Sequence, residues 1–388
     1  MPWKKAGVME QRIEFLLRAS RGDEPLGELC TAFGVHRSTG HRWLKRFAAV
    51  GSVLELKEGS RRPQTIPRQT EHAIEERVLA LREQYGWGAR KIQVLLEREG
   101  TRLGSATVHR ILQRAGAVRV AAPTRSQGKR FEREFPNELW QTDFKGIQEI
   151  WSKRYGPVCP LSALDDHSRF LTGLFGIASN DAVRTYYAFR RAFDECGLPG
   201  AMLMDHGIPW WNHANGYGLT QFSVELMKQG IRLYFGRPCH PQTQGKVERM
   251  HRSLEEALRR ADEKKRFPGW PAFLQAFREE YNYVRPHEAL NMQVPASRYQ
   301  PSQRCWNPNP PAWDYGPGVW IAALNSQGSL LFEGKRYFVC HALAREEVAV
   351  EVLANRLLVQ YRRTWLREID LTTGRSVPIL NGQHLSQL

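Results

Sequence analysis

From Gln242 onward the chain turns helical: Val247, Met250, Leu254 and Leu258 recur at three- or four-residue intervals and form one apolar stripe. Glu248 borders that stripe. Glu248, Arg252, Glu255 and Arg259 line the adjacent face, while Lys246, Arg249, Ser253 and Arg260 lie further toward solvent. A carboxylate in this position stands where core meets cleft, which is a sound place for chemistry. The remaining chain is best read by asking which other acids can reach it.

The chain has 388 residues, longer than one ordinary core, which predicts two to four domains. Net charge is +16. The excess is concentrated at the front, where residues 1–135 hold 26 Lys and Arg against 15 Asp and Glu, or +11. Such a balance favours a polyanionic partner, nucleic acid above all. The six cysteines, Cys30, Cys159, Cys196, Cys239, Cys305 and Cys340, lie at least 35 positions apart with no clustered Cys/His spacing. They read as reduced thiols of a cytoplasmic protein. The first twenty residues lack a signal peptide's apolar core, and no run approaches membrane-spanning length, so no membrane partner is expected.

Residues 9–48 read as three short helices, at 10–19, 26–33 and 38–49, the last two joined by Gly34, Val35 and His36. The tight turn is that of a helix-turn-helix, and Arg37, Ser38, Thr39 and Arg42 would then open the recognition helix and meet DNA. An ordinary three-helix bundle with a solvated basic face gives the same pattern. A polar stretch with Pro63 and Pro67 follows, then helices at 71–84, 89–98 and 105–115. They repeat the first unit's plan without its sequence, with Arg90, Lys91 and Arg110 as candidate DNA contacts. The alternative is a unit that merely packs on its neighbours. A basic stretch at 119–133 forms a second linker.

The composition then changes. Strands are expected at 140–151, 156–164 and 170–178, a helix at 181–196, a strand at 201–204, a helix at 219–229, a strand at 231–235, the Glu248 helix, and a last helix at 270–283. A three-strand meander followed by alternating helices and strands predicts a mixed sheet with flanking helices. After a Pro-rich passage, short segments at 319–322, 329–332, 335–339, 348–353 and 357–361 predict a small C-terminal β-barrel or sandwich. The whole is multidomain, α/β with all-α and all-β parts. Its expected domains are 1–62 and 63–127 (tandem helix-turn-helix), 128–300 (the mixed sheet) and 301–388 (the β-rich tail).

Three acids stand at informative places. Asp143 lies in the first strand within WQTDFKG, Asp205 ends an apolar strand before His206 and Gly207, and Glu248 is on the helix described above. Groups at the carboxyl ends of strands in an open α/β sheet converge on one crevice. Three carboxylates meeting there suit two Mg²⁺ ions, with Mn²⁺ as a substitute, since no thiolate or histidine set competes.

The segments WQTDFKG, LDDHSRF, MDHGIPW, GRPCHPQTQGKVERMHRSL and YNYVRPHEAL resemble the integrase catalytic core of bacterial insertion-sequence transposases, relatives of retroviral integrases with a ribonuclease-H-like fold. The likeness covers about residues 136–300 with the motifs in unbroken order. It implies a DDE triad falling on Asp143, Asp205 and Glu248 as catalytic residues and metal ligands. Two features depart from the pattern: 42 residues separate Asp205 from Glu248, a longer spacing than many integrases have, with the WWNHANGYG loop as the candidate for the extra length, and helix-turn-helix units replace the retroviral zinc-binding domain. Asp165 and Asp166 are the internal competitors, read as structural residues of a turn. His240, Gln242, Gln244, Lys246 and Arg249 are candidates to hold a DNA end, and Tyr283, Arg285, Pro286 and His287 either contact DNA or brace the site. The implied function is that of a DNA transposase acting as a homo-oligomer on element ends and target DNA, by metal-dependent strand cleavage and strand transfer. A DNA-binding regulator with a silent core and a structure-selective nuclease are the alternatives.

Overall fold

The computed structural model describes residues 7–51, 70–118, 131–146, 149–212, 218–236 and 245–379. The chain divides into two units, residues 1–70 and 71–388.

In the first unit, α1 (Val8–Arg21), α2 (Leu26–Ala32) and α3 (Arg37–Val50) enclose Phe15, Leu16, Leu29, Cys30 and Trp43. The turn into α3 passes through Gly34 at φ 61. His36 caps α3, its Nδ1 accepting the Ser38 N–H at 3.3 Å. Gly40 is where α3 lies closest to its neighbours: a Cβ there would come within 2.6 Å of Cys30 Sγ. The expected helix-turn-helix region is present.

The second unit opens with α4 (His72–Tyr85), α5 (Ala89–Arg98) and α6 (Ser105–Arg114), which bury Val78, Leu81, Trp87, Ile92, Leu96, Val108 and Ile111. Next come β1 (Trp140–Phe144), α7 (Glu149–Tyr155), β2 (Cys159–Asp165), β3 (Leu171–Ile177), α8 (Ala182–Cys196) and β4 (Ala201–Met204). A small hairpin of β5 (Trp211–Asn212) and β6 (Gly218–Leu219) precedes α9 (Gln221–Lys228), β7 (Arg232–Phe235), α10 (Gly245–Glu263) and α11 (Trp270–Glu279). The five-stranded sheet runs in the order β3-β2-β1-β4-β7, with an antiparallel meander from β1 to β3 and parallel pairing at β1/β4 and β4/β7. It is the expected mixed sheet with helices on its faces.

Strand periodicity assigns the two faces. Trp140, Leu161, Ala163, Met202 and Met204 pack with Phe189, Phe193, Phe222 and Leu226 of α8 and α9. Leu164, Leu171 and Leu174 pack on the opposite side with the stripe Val247, Met250, Leu254 and Leu258 of α10 and with Phe273, Leu274 and Phe277 of α11.

The bundle α4–α6 is docked on this body. Arg98 Nη1 donates to Val284 O at 2.9 Å, and Val284 packs on the bundle's own core. Lys264 Nζ donates to Glu83 O at 2.7 Å. Gly86, at φ 69, lies so close to Arg260 of α10 that a Cβ would come within 2.5 Å of Nη1.

Three boundaries differ from expectation. The strand expected at 140–151 ends at Phe144, and 149–155 is helix α7, because Trp151 and Tyr155, one turn apart, must both face the Phe267 and Trp270 cluster. The helix expected at 270–283 is α-helical only to Glu279, then widens to a π-turn over Glu280–Val284 that carries Tyr281 and Asn282 inward. In the tail, β8 (Trp320–Ala323), β9 (Ser329–Phe332), β10 (Lys335–Phe338), β11 (Glu347–Leu353) and β12 (Arg356–Tyr361) are joined by two strands that hydropathy did not mark, β13 (Thr364–Asp370) and β14 (Ser376–Pro378). These make an antiparallel sheet β14-β13-β12-β11-β8 plus the hairpin β9-β10. Among the described residues no ladder closes that sheet into a barrel. Arg367 hid β13 from view: its charge suggests a surface, yet it is buried, donating to Ser376 Oγ at 2.6 Å and Ser376 O at 2.9 Å.

Asn282 grips β3 through its backbone, accepting from Leu171 N at 2.8 Å and donating to Leu171 O at 3.1 Å. Asn282→Ala leaves the buried Leu171 N–H without its acceptor, at about 1–3 kcal/mol, while Leu171 O keeps its bond from Arg278 Nε at 3.0 Å. Its thermal unfolding should begin several degrees below that of the parent, and an unchanged scan would show that water replaces the amide without cost.

Candidate active site

The alternation that gives Trp140, Thr142 and Phe144 to the α8 side turns Gln141 and Asp143 toward α10. Ser162, opposite Asp143 in the β1/β2 register, faces the same way. The parallel β1/β4 pairing sets Trp140 beside Met202 and Gln141 beside Leu203. Continued two residues, that register brings Asp143 level with Asp205, just past the end of β4.

The first turn of α10 completes the group with Glu248, an acid at the helix end where the dipole favours one. Burial pushes the Asp143 carboxyl up to about 7, with Asp205 and Glu248 adding to the rise and the Phe144 N–H and Lys145 opposing it. The two other acids are therefore close enough to act on it as charges. Both are exposed, whereas Asp143 is half-buried.

Asp143 and Asp205 are each held by their own partners. Phe144 N donates to Asp143 Oδ1 at 2.9 Å. His251 Nδ1 lies 3.6 Å from Asp143 Oδ2, and its Nε2 is 2.7 Å from Ser162 Oγ, which in turn donates to Asp143 O at 3.0 Å. Burial and then Lys145 pull His251 down to about 4, so it is neutral at pH 7. Asp205 Oδ1 accepts from Trp210 Nε1 at 2.6 Å and from Gly207 N at 3.0 Å. The fully buried Trp210 ring stacks on Phe144 at 5.0 Å, linking the Asp205 loop to the strand that carries Asp143.

Asp165 and Asp166 are both completely buried and fully engaged. Asp165 closes the turn after β2, accepting from Ser168 N at 2.8 Å, Ser168 Oγ at 2.5 Å and Asn137 N at 2.7 Å. Asp166 joins three segments: Arg133 N at 2.8 Å, Gln141 Nε2 of β1 at 2.7 Å and Lys246 Nζ of α10 at 2.5 Å. It thereby ties the strand bearing Asp143 to the helix end bearing Glu248. A second tie is Lys145 to Glu255 at 3.3 Å.

The expected DNA contacts divide. Arg37 and Arg42 are exposed on the first turns of α3, with Thr39 half-buried between them, while the Ser38 hydroxyl is 2.8 Å from His36 Nδ1. Arg90 is exposed at the start of α5, and Arg110 is exposed but turns back to Ala106 O at 3.2 Å. Arg249 is exposed. Lys246 instead spends its amino group on Asp166, over the Phe131 ring. His240, Gln242 and Gln244 lie outside the described residues, as does most of the WWNHANGYG segment. Of the last motif, Tyr283 is exposed, Arg285 reaches Ser253 Oγ at 2.9 Å, and Pro286 and His287 are buried.

Trp210 and His251 went unread in the sequence. His251 had a signal, since it stands four residues after Val247 on the apolar stripe, where a polar side chain must face a partner.

Hard carboxylate oxygens carrying excess negative charge fit Mg²⁺ or Mn²⁺ in chemistry. Among the described residues, no three His, Cys, Asp or Glu side chains are gathered tightly enough to share a single ion. Also among them, no helix is long and apolar enough to cross a membrane.

The integrase core domain family matches residues 229–295, which include Glu248, and a homeodomain-like domain family matches residues 39–112. The chain thus has one segment similar to integrase cores and one similar to homeodomain-like helix-turn-helix domains, and it resembles proteins of bacterial insertion elements. An uncharacterized insertion-element protein of Burkholderia multivorans is 26% identical over 241 residues, 57% of this chain and 80% of the relative. A Sinorhizobium fredii protein that bears a provisional transposase name is 26% identical over 283 residues, 70% of this chain and 61% of that relative's length. An intasome structure of simian T-cell lymphotropic virus aligns with 74% of this chain and 97% of its own at 15% identity and a TM-score of 0.38.

The raised Asp143 carboxyl sets a pH dependence. Without metal, the folded chain holds this proton more tightly than the unfolded one, so its stability falls as pH rises from the ordinary carboxylate range to about 7. A cation must displace the same proton, so Mn²⁺ affinity should weaken about tenfold for each unit below pH 7 and level off above it. Calorimetric titration with Mn²⁺ checks this, and a flat profile in the parent chain would remove Asp143 from the ligand set.

Proposed function

We propose that this chain is a DNA transposase whose catalytic residues are Asp143, Asp205 and Glu248. The observation that carries the reading is their convergence from the ends of two adjacent parallel strands and the first turn of α10, registered in the charge that Asp205 and Glu248 impose on Asp143. An acidic group of this kind, unneutralised at the edge of a sheet, is costly to a free chain and useful to one that handles phosphodiesters. Two bound Mg²⁺ ions would supply activation of the attacking oxygen and stabilisation of the leaving oxygen. Asp143, Asp205 and Glu248 would hold these ions between them.

The chain's own residues orient this group. Trp210 fixes Asp205, His251 and the Phe144 N–H fix Asp143, and the Asp166–Lys246 contact fixes the start of α10. In the proposed reaction, water attacks the phosphodiester at an element end, releasing a 3′-hydroxyl and a 5′-phosphate. The 3′-oxygen then bonds to a target phosphorus as the target's own 3′-oxygen leaves. No covalent bond to the protein is formed. The helical units of residues 7–51 and 71–118 take the role of binding DNA ends, the sheet of 131–300 the chemistry, and the β-rich tail contacts with DNA or other subunits. Joining two ends calls for more than one copy of the chain, working in the bacterial cytoplasm.

Glu248→Gln keeps the helix and removes the charge. Loss of a metal-stabilised transition state costs several kcal/mol, so cutting of element-end DNA should drop by about a thousandfold or more while DNA binding persists. Asp143→Asn and Asp205→Asn should do the same, without additivity among the three. A Glu248→Gln chain that cuts within tenfold of the parent would end this assignment. Asp166→Asn should reduce cutting less, and together with Lys246→Met it should cost little more than either change alone, because both break one contact.

A further inference from the structure

One face of α5 is turned to the sheet-bearing body. Arg98 donates to Val284 O from that face, and Lys91 lies seven residues earlier, two turns along the same side. The residue after Val284 is Arg285, which reaches α10 at Ser253 Oγ, 2.9 Å away. Ser253 stands one turn beyond Arg249, so Arg249 and Arg285 share a side of α10, immediately next to Glu248. Three cations from three elements thus line one crevice between the helical bundle and the core.

Glu256 and Glu288 act on Lys91 as charges and Glu280 acts on Arg285, yet among the described residues no acid forms an ion pair with Lys91, Arg249 or Arg285. Burial, then Arg285, pulls the Lys91 amino group down to about 8, with Arg249 adding to the fall and Glu288 and Glu256 opposing it. His287 nearby is driven to about 2 by burial and by Arg285, Lys91, Arg169 and Arg249, so it brings no charge of its own. A half-buried lysine set among arginines without a counterion destabilises the free chain. A phosphodiester reverses that cost, since its singly charged pair of non-bridging oxygens suits both the guanidinium fork and the ammonium point charge.

We propose that Lys91, Arg249 and Arg285 form a phosphodiester-binding seam between the second helical bundle and the catalytic core, gripping the backbone of duplex DNA beside Glu248. This rests on the DNA-transposase reading and adds to it a specific joint: the same phosphates are held by the bundle and by the helix that carries the catalytic acid. Backbone contact is favoured over base reading because the seam is lined by cations set between two packed bodies rather than by a helix presenting its side chains to a groove.

The test uses the full chain and a random-sequence duplex, with fluorescence anisotropy at several salt concentrations. Lys91→Met should weaken binding about fivefold to tenfold near physiological salt and lower the salt slope by about 0.9, the share of one phosphate. Arg285→Met should act likewise, and Lys91→Arg should retain the slope. Lys91→Met should also melt no lower than the parent, because an unpaired half-buried cation has been replaced by an apolar chain, a result that a bracing role would not give. A parent slope preserved in Lys91→Met overturns the seam, as does lost stability with unaltered binding. If inorganic phosphate alone raises the parent's melting temperature, but not that of Lys91→Met, while the DNA slope is unchanged, the site takes free phosphate and the DNA seam is overturned. A parent chain that binds no duplex at all fails the transposase reading itself.

Discussion

The seating of α10 on the sheet governs the rest of this structure. Val247, Met250, Leu254 and Leu258 lock against Leu164, Leu171 and Leu174, and once they are buried the rotation of the helix is no longer free. Each buried aliphatic side chain contributes about 1.5–3 kcal/mol of transfer free energy, so turning the helix by one residue would forfeit most of the contact. With that rotation set, His251 must point at the sheet, Glu248 must stand at its edge, and Arg249 and Ser253 must face away toward Arg285.

Polar contacts then decide what packing leaves open, the position of the helix along its axis. Asp166 is buried with three donors from three segments, one of them Lys246. An ion pair of this kind adds little net stability over an apolar replacement, yet breaking it leaves an uncompensated buried charge at roughly 3–5 kcal/mol. Its value lies in geometry. Burial draws the Lys246 amino group down to about 8, which leaves it protonated at pH 7 and the contact intact there.

The cost of assembling like charges is offset differently on the two sides of α10. On one side, burial and then Asp205 and Glu248 push Asp143 toward neutrality; on the other, burial and then Arg285 push Lys91 toward it. Stability alone would select against both clusters, and perturbed groups of this sort gather where ligands are handled. Both clusters are carried in part by α10, where Glu248 and Arg249 are consecutive residues, so the proposed phosphate seam and the acidic group share one rigid helix.

The sequence by itself determined the helix-turn-helix front, the mixed sheet and the apolar stripe of α10, because each is written in local periodicity and turn chemistry that neighbours reinforce. The resemblance of the core motifs pointed to the three acids, and the end of an apolar strand marked Asp205. It took the folded chain to show that 149–155 is helix and that a charged β13 is core strand. The same is true of Lys246, whose charge reads as a surface feature until Asp166, 80 residues away in the chain, is found against it. Periodicity records which way a residue faces along its own element. It holds no record of which buried charge or backbone group from a distant segment will be waiting there, and that pairing depends on a sheet register and a helix rotation that exist only after folding.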